Sequence, residues 1–224
     1  MASYSKALTK TLHHEGGYAF VEGDEGRETY KGVARKSHPM WKGWEYIDAE
    51  KNVRNAKKLK HNEKLNNRNL DREVENIYRK NYWNKIKGDL IKDDDLASLM
   101  FDIVVNHGRG VWLIQKAVNN LGYLKDNGKP LVLDNKFGSN TIRAVNSVNP
   151  NSLYNQLLIE RKLYYDQLIN NKPKLEKFRK GWNKRVNSFI RKADFQKEES
   201  MPQNDLKYKT KINLDEKSTN PLIG

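Results

Sequence analysis

The sequence predicts a mainly α-helical protein, with a helical body and a small β-hairpin or loop subregion near residues 18–35. Apolar residues recur every three or four positions along most of the 224 residues, which is the helical period. Residues 18–34 instead carry Gly23, Gly26 and Gly32, a spacing that favours short turns and a hairpin. The chain also has 5 Trp, 11 Tyr and 6 Phe, enough bulk for a core, which excludes the disordered class.

The first predicted helix covers residues 3–15. Its apolar positions share one face with an acidic residue at the end: Tyr4, Leu8, Leu12 and Glu15. Glu15 should therefore project on the core side of the helix, at the rim of the core or in a cleft beside it. Gly16 and Gly17 are predicted to end the helix, because glycine accepts the left-handed C-terminal conformation.

The remaining segments are predicted from local signals. Residues 35–48 should form loops and short turns, and the polar residues 49–68 a surface helix or a basic connector. The segment 131–133 is a candidate short strand between two turns. Helices are predicted over 69–84, from Asp93 to a stop at 107–110, over about 111–121, after Ser139 or Asn140, after Asn149, and from Pro173.

Charge limits the choice of partner. Lys and Arg number 42 against 28 Asp and Glu, a formal net charge of +14, which favours a polyanion: nucleic acid, an anionic membrane or an anionic cell-wall polymer. A solvated basic face without a partner is the alternative. The basic segment 51–68 belongs to no nucleic-acid-binding motif, so nucleic acid is the weaker hypothesis.

Several chemistries are excluded by composition. The absence of Cys excludes disulfides, cysteine-ligated metals and a thiol nucleophile. The five histidines form no H-E-x-x-H motif, so no metal is expected. Residues 1–6 lack an apolar signal-peptide core and no stretch is long and apolar enough to span a bilayer, so we expect synthesis as a cytoplasmic chain.

Paired carboxylates are the chemistry that the Glu15 region suggests. Hydrolysis of a glycosidic bond uses one carboxyl group as general acid and a second on the opposite face of the sugar. Glu15, at a helix end beside aromatic residues, suits the acid. Asp24, in the following Gly-rich loop, suits the second group, with three competitors nearby: Glu22, Glu25 and Glu28.

Five blocks, in order, resemble glycoside hydrolase family 108, the N-acetylmuramidase (lysozyme) family of phage endolysins and secreted bacterial muramidases. Residues 12–18 read Leu-His-His-Glu-Gly-Gly-Tyr and are similar to the family's E-G-G-Y signature. Residues 24–33 follow its D-P-G-G-x-T-x-x-G-I loop, except that Glu25 and Arg27 replace Pro and Gly. The other three blocks resemble Y-x-x-x-Y-W, F-D-x-x-V-N-x-G and D-G-x-F-G-x-x-T, at residues 78–83, 101–108 and 134–141.

The resemblance implies an α+β lysozyme-like fold and cleavage of the β-1,4 bond between N-acetylmuramic acid and N-acetylglucosamine. It implies Glu15 as general acid, with Asp24 and Thr29 in the loop across the cleft. Tyr18, Asp102 and Asn106 are the expected sugar contacts. No cofactor or metal is implied, the partner is peptidoglycan, and a monomer is expected.

The resemblance also suggests a domain organisation and a place of action. Residues 1–125 would be the catalytic region, 126–194 a helical peptidoglycan-binding-type region, and 195–224 an extended tail. A muramidase without a signal sequence fits a phage endolysin that reaches the cell wall through a holin. The open alternatives are a non-catalytic peptidoglycan-binding protein and a basic nucleic-acid-binding protein.

Overall fold

The computed structural model describes residues 2–20 and 28–191. Two compact units divide the chain, residues 1–156 and residues 157–224. The predicted class is confirmed, since the described residues form mostly helices together with a small three-stranded antiparallel sheet. In chain order the elements are α1 Tyr4–Leu12, β1 Tyr18–Phe20, β2 Glu28–Tyr30, β3 Val33–Ala34, α2 Gly43–Val53, α3 Arg68–Tyr78, α4 Asp94–Asn106, α5 Gly110–Asn120, α6 Ser139–Ser147, α7 Pro150–Asn171 and α8 Arg179–Asn187.

Shorter helical turns complete the list: a π-helical turn Arg79–Trp83 directly after α3, and 3₁₀ turns Gly88–Leu90 and Pro173–Phe178. Within the described residues, none of the helices combines the length and the apolar character needed to cross a bilayer.

The small sheet has one buried and one open face. β1 pairs with β2 so that Tyr18 faces Tyr30, and β2 pairs with β3 so that Tyr30 faces Val33. Because side chains alternate along a strand, these three buried residues share one face. Ala19, Thr29 and Ala34 occupy the other face and are only half-buried.

Helix α1 is shorter than the predicted 3–15. Ser3 caps its N-terminus, since the Ser3 hydroxyl accepts a hydrogen bond from the Lys6 N–H. After Leu12 the backbone tightens, with the N–H groups of His14 and Glu15 bonded to carbonyls only three residues back. Glu15 therefore lies in the turn beyond α1 rather than on the helix.

The predicted reason for the glycines after α1 was wrong. Neither Gly16 nor Gly17 has the left-handed backbone conformation. Gly17 is instead closely approached by another part of the chain: a Cβ at Gly17 would lie 2.2 Å from the Glu63 carbonyl oxygen. The segment around Asn62 runs beside β1, where the Tyr18 N–H donates to Glu63 O at 2.8 Å and Asn62 N–H donates to Tyr18 O at 2.7 Å.

Two further predictions needed correction. The segment predicted to be loop around Trp41 and Trp44 contains the start of α2, where Gly43 packs directly against the Trp41 ring. After Val53 the chain is irregular up to α3, so the connector alternative holds for that part. Residues 131–133 form no strand; the Asn119 side-chain amide satisfies both the N–H and the carbonyl of Leu131, each at 2.9 Å.

Helix α4 lies at the centre of the first unit, and α1 packs along it. Asp93 caps α4 as the acidic run predicted, with Asp93 Oδ1 2.7 Å from the Leu96 N–H. Asp94 in turn accepts hydrogen bonds from the Ser3 N–H and the Lys6 ammonium, and these contacts lower the Asp94 pKa. The start of α1 is thus anchored to α4, which positions the Glu15 turn at its other end.

The second unit has its own aromatic core. Tyr165 and Trp182 stack with ring centroids 4.5 Å apart, and the exposed Phe178 continues the stack. Arg161 is fully buried, with its guanidinium over the Tyr165 and Phe189 rings.

Candidate functional site

The Glu15 carboxyl lies against the turn that joins β2 to β3. This turn consists of Lys31 and Gly32, both with positive φ (44° and 78°), as a two-residue hairpin turn requires. A Cβ at Gly32 would stand 2.9 Å from Glu15 Oε2 and 3.3 Å from Glu15 Cδ. The half-buried carboxyl can approach the turn this closely only because residue 32 has no side chain.

Helix α3 holds the same turn in place. The Tyr78 hydroxyl donates a 2.8 Å hydrogen bond to the Lys31 carbonyl, and the Lys31 ammonium pairs with Asp71 at 2.7 Å. Both ends of Lys31 are therefore tied to α3. The same Tyr78 hydroxyl would lie 2.6 Å from a Cβ at Gly32, so the hydroxyl and the Glu15 carboxyl both approach this glycine closely.

Tyr82 is a member of the site that sequence reasoning left without a role. Burial raises the Tyr82 pKa first, and the negative charge of Glu15 raises it further, which puts the phenol in the field of the carboxylate. The Tyr82 ring lies 5.5 Å from the Tyr78 ring, because the π-helical turn follows α3 directly. In the sequence, the Tyr-x-x-x-Tyr-Trp block at residues 78–83 is the signal that could have identified Tyr82. In the structure this block contains the π-helical turn, and such turns are frequent at functional sites.

Of the carboxylates predicted to oppose Glu15, only Glu28 lies among the described residues; Asp24, Glu22 and Glu25 lie outside them. Glu28 is 6% exposed. It accepts hydrogen bonds from the Tyr18 hydroxyl and the Lys51 ammonium, both at 2.8 Å, and forms an ion pair with Arg35. A buried carboxylate with these three partners is not available to a substrate, so Glu28 is removed from the candidates.

The predicted sugar contacts have different environments. Tyr18 is only 1% exposed; burial raises its pKa and the hydrogen bond to Glu28 raises it further. Asp102 is 0% exposed within α4. Neither side chain has a surface that a sugar could contact. Asn106, in the last turn of α4, and Thr29, on the open face of the sheet, are half-buried and keep a route to solvent.

A pocket of about 300 Å³ lies near the site but is not lined by Glu15. One wall is α1, down to Leu12, and the other walls include Lys31 and Asp71. Lys31 lines this pocket and also belongs to the turn that the Glu15 carboxyl contacts, but the carboxyl itself does not line the pocket. Across residues 2–20 and 28–191, no group of three His, Asp or Glu side chains is arranged to hold a metal ion.

Comparisons with known proteins identify two family regions and a solved structure of similar fold. Residues 8–108 match the family model Glycosyl hydrolase 108, and residues 109–187 match the model Predicted Peptidoglycan domain. Among solved structures, Brucella abortus SagA aligns with a TM-score of 0.54 and 22% identity, over 83% of this chain and 90% of that chain. No curated protein sequence matches.

The two family matches define the class of protein: a glycoside hydrolase region followed in sequence by a peptidoglycan-type domain. Residues 8–108 belong to glycoside hydrolase family 108, and the two family models together account for residues 8–187. Its activity is thereby that of a hydrolase acting on peptidoglycan.

Replacing Gly32 with Ala should impair both folding and activity. The new methyl group would collide with Glu15 Oε2 and the Tyr78 hydroxyl, and φ of +78° is strained for any residue with a Cβ. We expect the free energy of unfolding to fall by about 2 kcal/mol, with a loss of peptidoglycan clearing because the carboxyl is displaced. Urea denaturation and a turbidity assay measure the two effects.

Gly122→Ala is the matched control for that variant. Gly122 has the same φ of +78°, but a Cβ there would meet nothing within 4 Å. It therefore carries the backbone strain without the collision, and clearing should remain at the wild-type rate. Equal loss of activity in both variants would show that the contact between Gly32 and Glu15 has no special importance.

Proposed function

We propose that the chain is an N-acetylmuramidase that cleaves the β-1,4 bond between N-acetylmuramic acid and N-acetylglucosamine. Glu15 is the general acid in this reaction. The observation that carries the proposal is the position of its carboxyl, at the end of α1 and against the Lys31–Gly32 turn, within the family-matched region.

The surroundings of Glu15 suit an acid that must meet the glycosidic oxygen in a defined geometry. α1 is anchored to α4 at its start, and the turn opposite the carboxyl is tied to α3 through Tyr78 and Asp71. Such support limits the motion of a catalytic group, and a general acid contributes about 10²–10⁴-fold in rate when it is well placed.

Asp24, or a water held by Asp24 and Thr29, is proposed to act on the opposite face of the sugar. Two observations support this assignment. Glu28 is occupied by Tyr18, Lys51 and Arg35 and so does not compete. Thr29 lies on the open face of the sheet. The separation of the two carboxyl groups will decide between retention, at about 5 Å, and inversion, at roughly 6.5–9.5 Å.

We propose the same two functional regions that the sequence predicts. Residues 1–125 carry the catalytic groups, with Asn106 as a sugar contact and with Tyr18 and Asp102 in supporting positions. Residues 126–194 hold the cell-wall substrate. We propose that the protein acts as a monomer in lysis of a bacterial host, as a phage endolysin does; the +14 charge favours the anionic cell envelope.

Product analysis tests the bond that is cut. Purified peptidoglycan is digested and the fragments are reduced with borohydride before mass spectrometry. The proposal expects reduced N-acetylmuramic acid at the new ends; reduced N-acetylglucosamine would identify a different glycosidase. Firm binding without release of fragments would favour the non-catalytic peptidoglycan-binding alternative. Saturable DNA binding at physiological salt, without release, would favour the nucleic-acid-binding alternative.

A further inference from the structure

The Asp-Asn-Lys-Phe-Gly segment at 134–138 is bound tightly to the first turns of α5. The buried Gln115 side chain donates to Asp134 Oδ1 at 2.8 Å and to the Lys136 carbonyl at 3.0 Å, and its oxygen accepts the Asn135 N–H at 3.1 Å. The hydrogen bond from Gln115 lowers the Asp134 pKa, and a second one from the Lys136 N–H lowers it further. The motif thus binds α5 instead of pointing into solvent.

Asn135 completes this arrangement. Its backbone has a positive φ of 60°, its side-chain oxygen accepts the Trp112 N–H at 2.9 Å, and its amide donates to the Gly108 carbonyl at 3.0 Å. Phe137 and Thr141 are buried beneath. The polar and aromatic residues of the motif therefore form a rigid support. Other side chains, which lie on this support, are the ones that can contact a ligand.

Those side chains combine an aromatic ring, two cations and exposed apolar residues. The half-buried Trp112 ring has the Arg109 guanidinium 4.4 Å and the Lys116 ammonium 5.4 Å from its centroid. Leu131 is hydrogen-bonded to Asn119, and Asp134 is hydrogen-bonded to Gln115. Residues 132–133 lie between these two attachment points in sequence, so they pass alongside the turn of α5 that carries Lys116. Val132 is 67% and Leu133 40% exposed.

We propose that this surface, formed by Arg109, Trp112, Lys116, Val132 and Leu133 and called here the Trp112 surface, binds a carboxylate-bearing peptidoglycan strand. This inference rests on the proposed function. Arg109 and Lys116 face the carboxylates of the stem peptides, for which a guanidinium beside a second cation is suited. The indole edge and the two apolar side chains contact the C–H faces of the sugars.

The rigid support favours this role energetically. Because Gln115 and Asn135 hold the loop and helix together before any ligand arrives, little conformational entropy is lost on binding. The surface belongs to the region matched by the Predicted Peptidoglycan domain, residues 109–187.

Binding to insoluble peptidoglycan tests the proposal, with full-length Glu15→Gln protein so that the polymer stays intact. Adding Arg109→Gln and Lys116→Gln should weaken binding about tenfold, and adding Trp112→Ala should weaken it by a similar factor. Circular dichroism and thermal unfolding verify that the variants remain folded. The double Gln variant tests the surface even if Trp112→Ala fails to fold, since both cations lie outside the buried core.

The matched control is Lys85→Gln with Lys92→Gln, which removes two exposed positive charges outside the Trp112 surface and outside residues 126–194. This control should bind like the parent. Peptidoglycan whose carboxylates have been amidated should bind the parent protein about as weakly as native peptidoglycan binds the double Gln variant. Equal binding by parent and double Gln variants would overturn the Trp112 surface, as would equal competition by DNA.

The outcome is separable from that of the proposed function. Wild-type release of fragments is measured in parallel. Loss of binding in the variants without any wild-type release would refute the muramidase alone. Wild-type release with unchanged variant binding would refute the Trp112 surface alone.

Discussion

Replacing Glu15 with Gln is expected to slow peptidoglycan clearing by about 10²–10⁴-fold. Gln has nearly the shape of Glu but cannot transfer a proton to the leaving oxygen, so binding should persist while the chemical step fails. The carboxyl lies against Gly32 and beside the Tyr78 hydroxyl, and an amide fits the same space. Turbidity of a purified peptidoglycan suspension measures the rate, and a pull-down measures binding.

The control for this variant is Glu45→Gln, an exposed carboxylate in the first turn of α2. It removes one negative charge from the same unit and should leave the rate unchanged. Wild-type clearing by Glu15→Gln would remove Glu15 from the mechanism. Slower clearing by both variants to the same extent would instead indicate that net charge, rather than proton transfer, controls the rate.

Replacing Glu28 with Gln is expected to lower the free energy of unfolding by about 3 kcal/mol. Glu28 is buried, and it compensates Lys51 and Arg35 while accepting the Tyr18 hydroxyl. With a neutral amide there, the largely buried Lys51 ammonium loses a charged partner in a poorly solvated place. Because Glu28 begins β2, the strand that carries Thr29, clearing should also slow at temperatures below the unfolding midpoint.

Asp48→Asn is the control in the same cluster. Asp48 contacts both Arg35 and Lys51. Burial by itself raises the Asp48 pKa, but the contacts with these two cations outweigh burial and lower the pKa. Its side chain is 43% exposed, however, so solvent screens the pairs and we expect a loss below about 1 kcal/mol. Urea denaturation compares the two variants. A larger effect at Asp48 than at Glu28 would contradict the importance assigned to burial.

Elements with strong local signals were predictable. The run Asp93-Asp94-Asp95 before an apolar periodic segment indicated the start of α4, and the glycines of residues 18–34 indicated a hairpin. Such signals depend on capping, periodicity and turn conformation, which involve neighbours in sequence. Glu15 was selected by the resemblance of the five ordered blocks to the family, because local signals alone do not distinguish it from other carboxylates.

Features that depend on distant residues were not predictable. Gly17 is required by the backbone near Asn62, and Glu28 is buried by cations from α2 and from the residue after β3. The region around Trp41 and Trp44 was predicted to be loop, but α2 begins there at Gly43. Tertiary contacts fix this region, such as the hydrogen bond that the Trp41 indole N–H donates to the Glu73 carbonyl. Neither a period nor a local turn signal contains this information.

By itself, the sequence determined a mainly helical chain, a Gly-rich hairpin and a carboxylate at its entrance, because local backbone preferences and apolar periodicity are written in consecutive residues. Only the tertiary structure decided that Glu15 lies beyond α1 against Gly32, that Tyr78 holds the turn that contains this glycine, and that Glu28 is buried among its three partners. Those outcomes depend on which distant segments pack together, and burial then decides which carboxylate is left for chemistry.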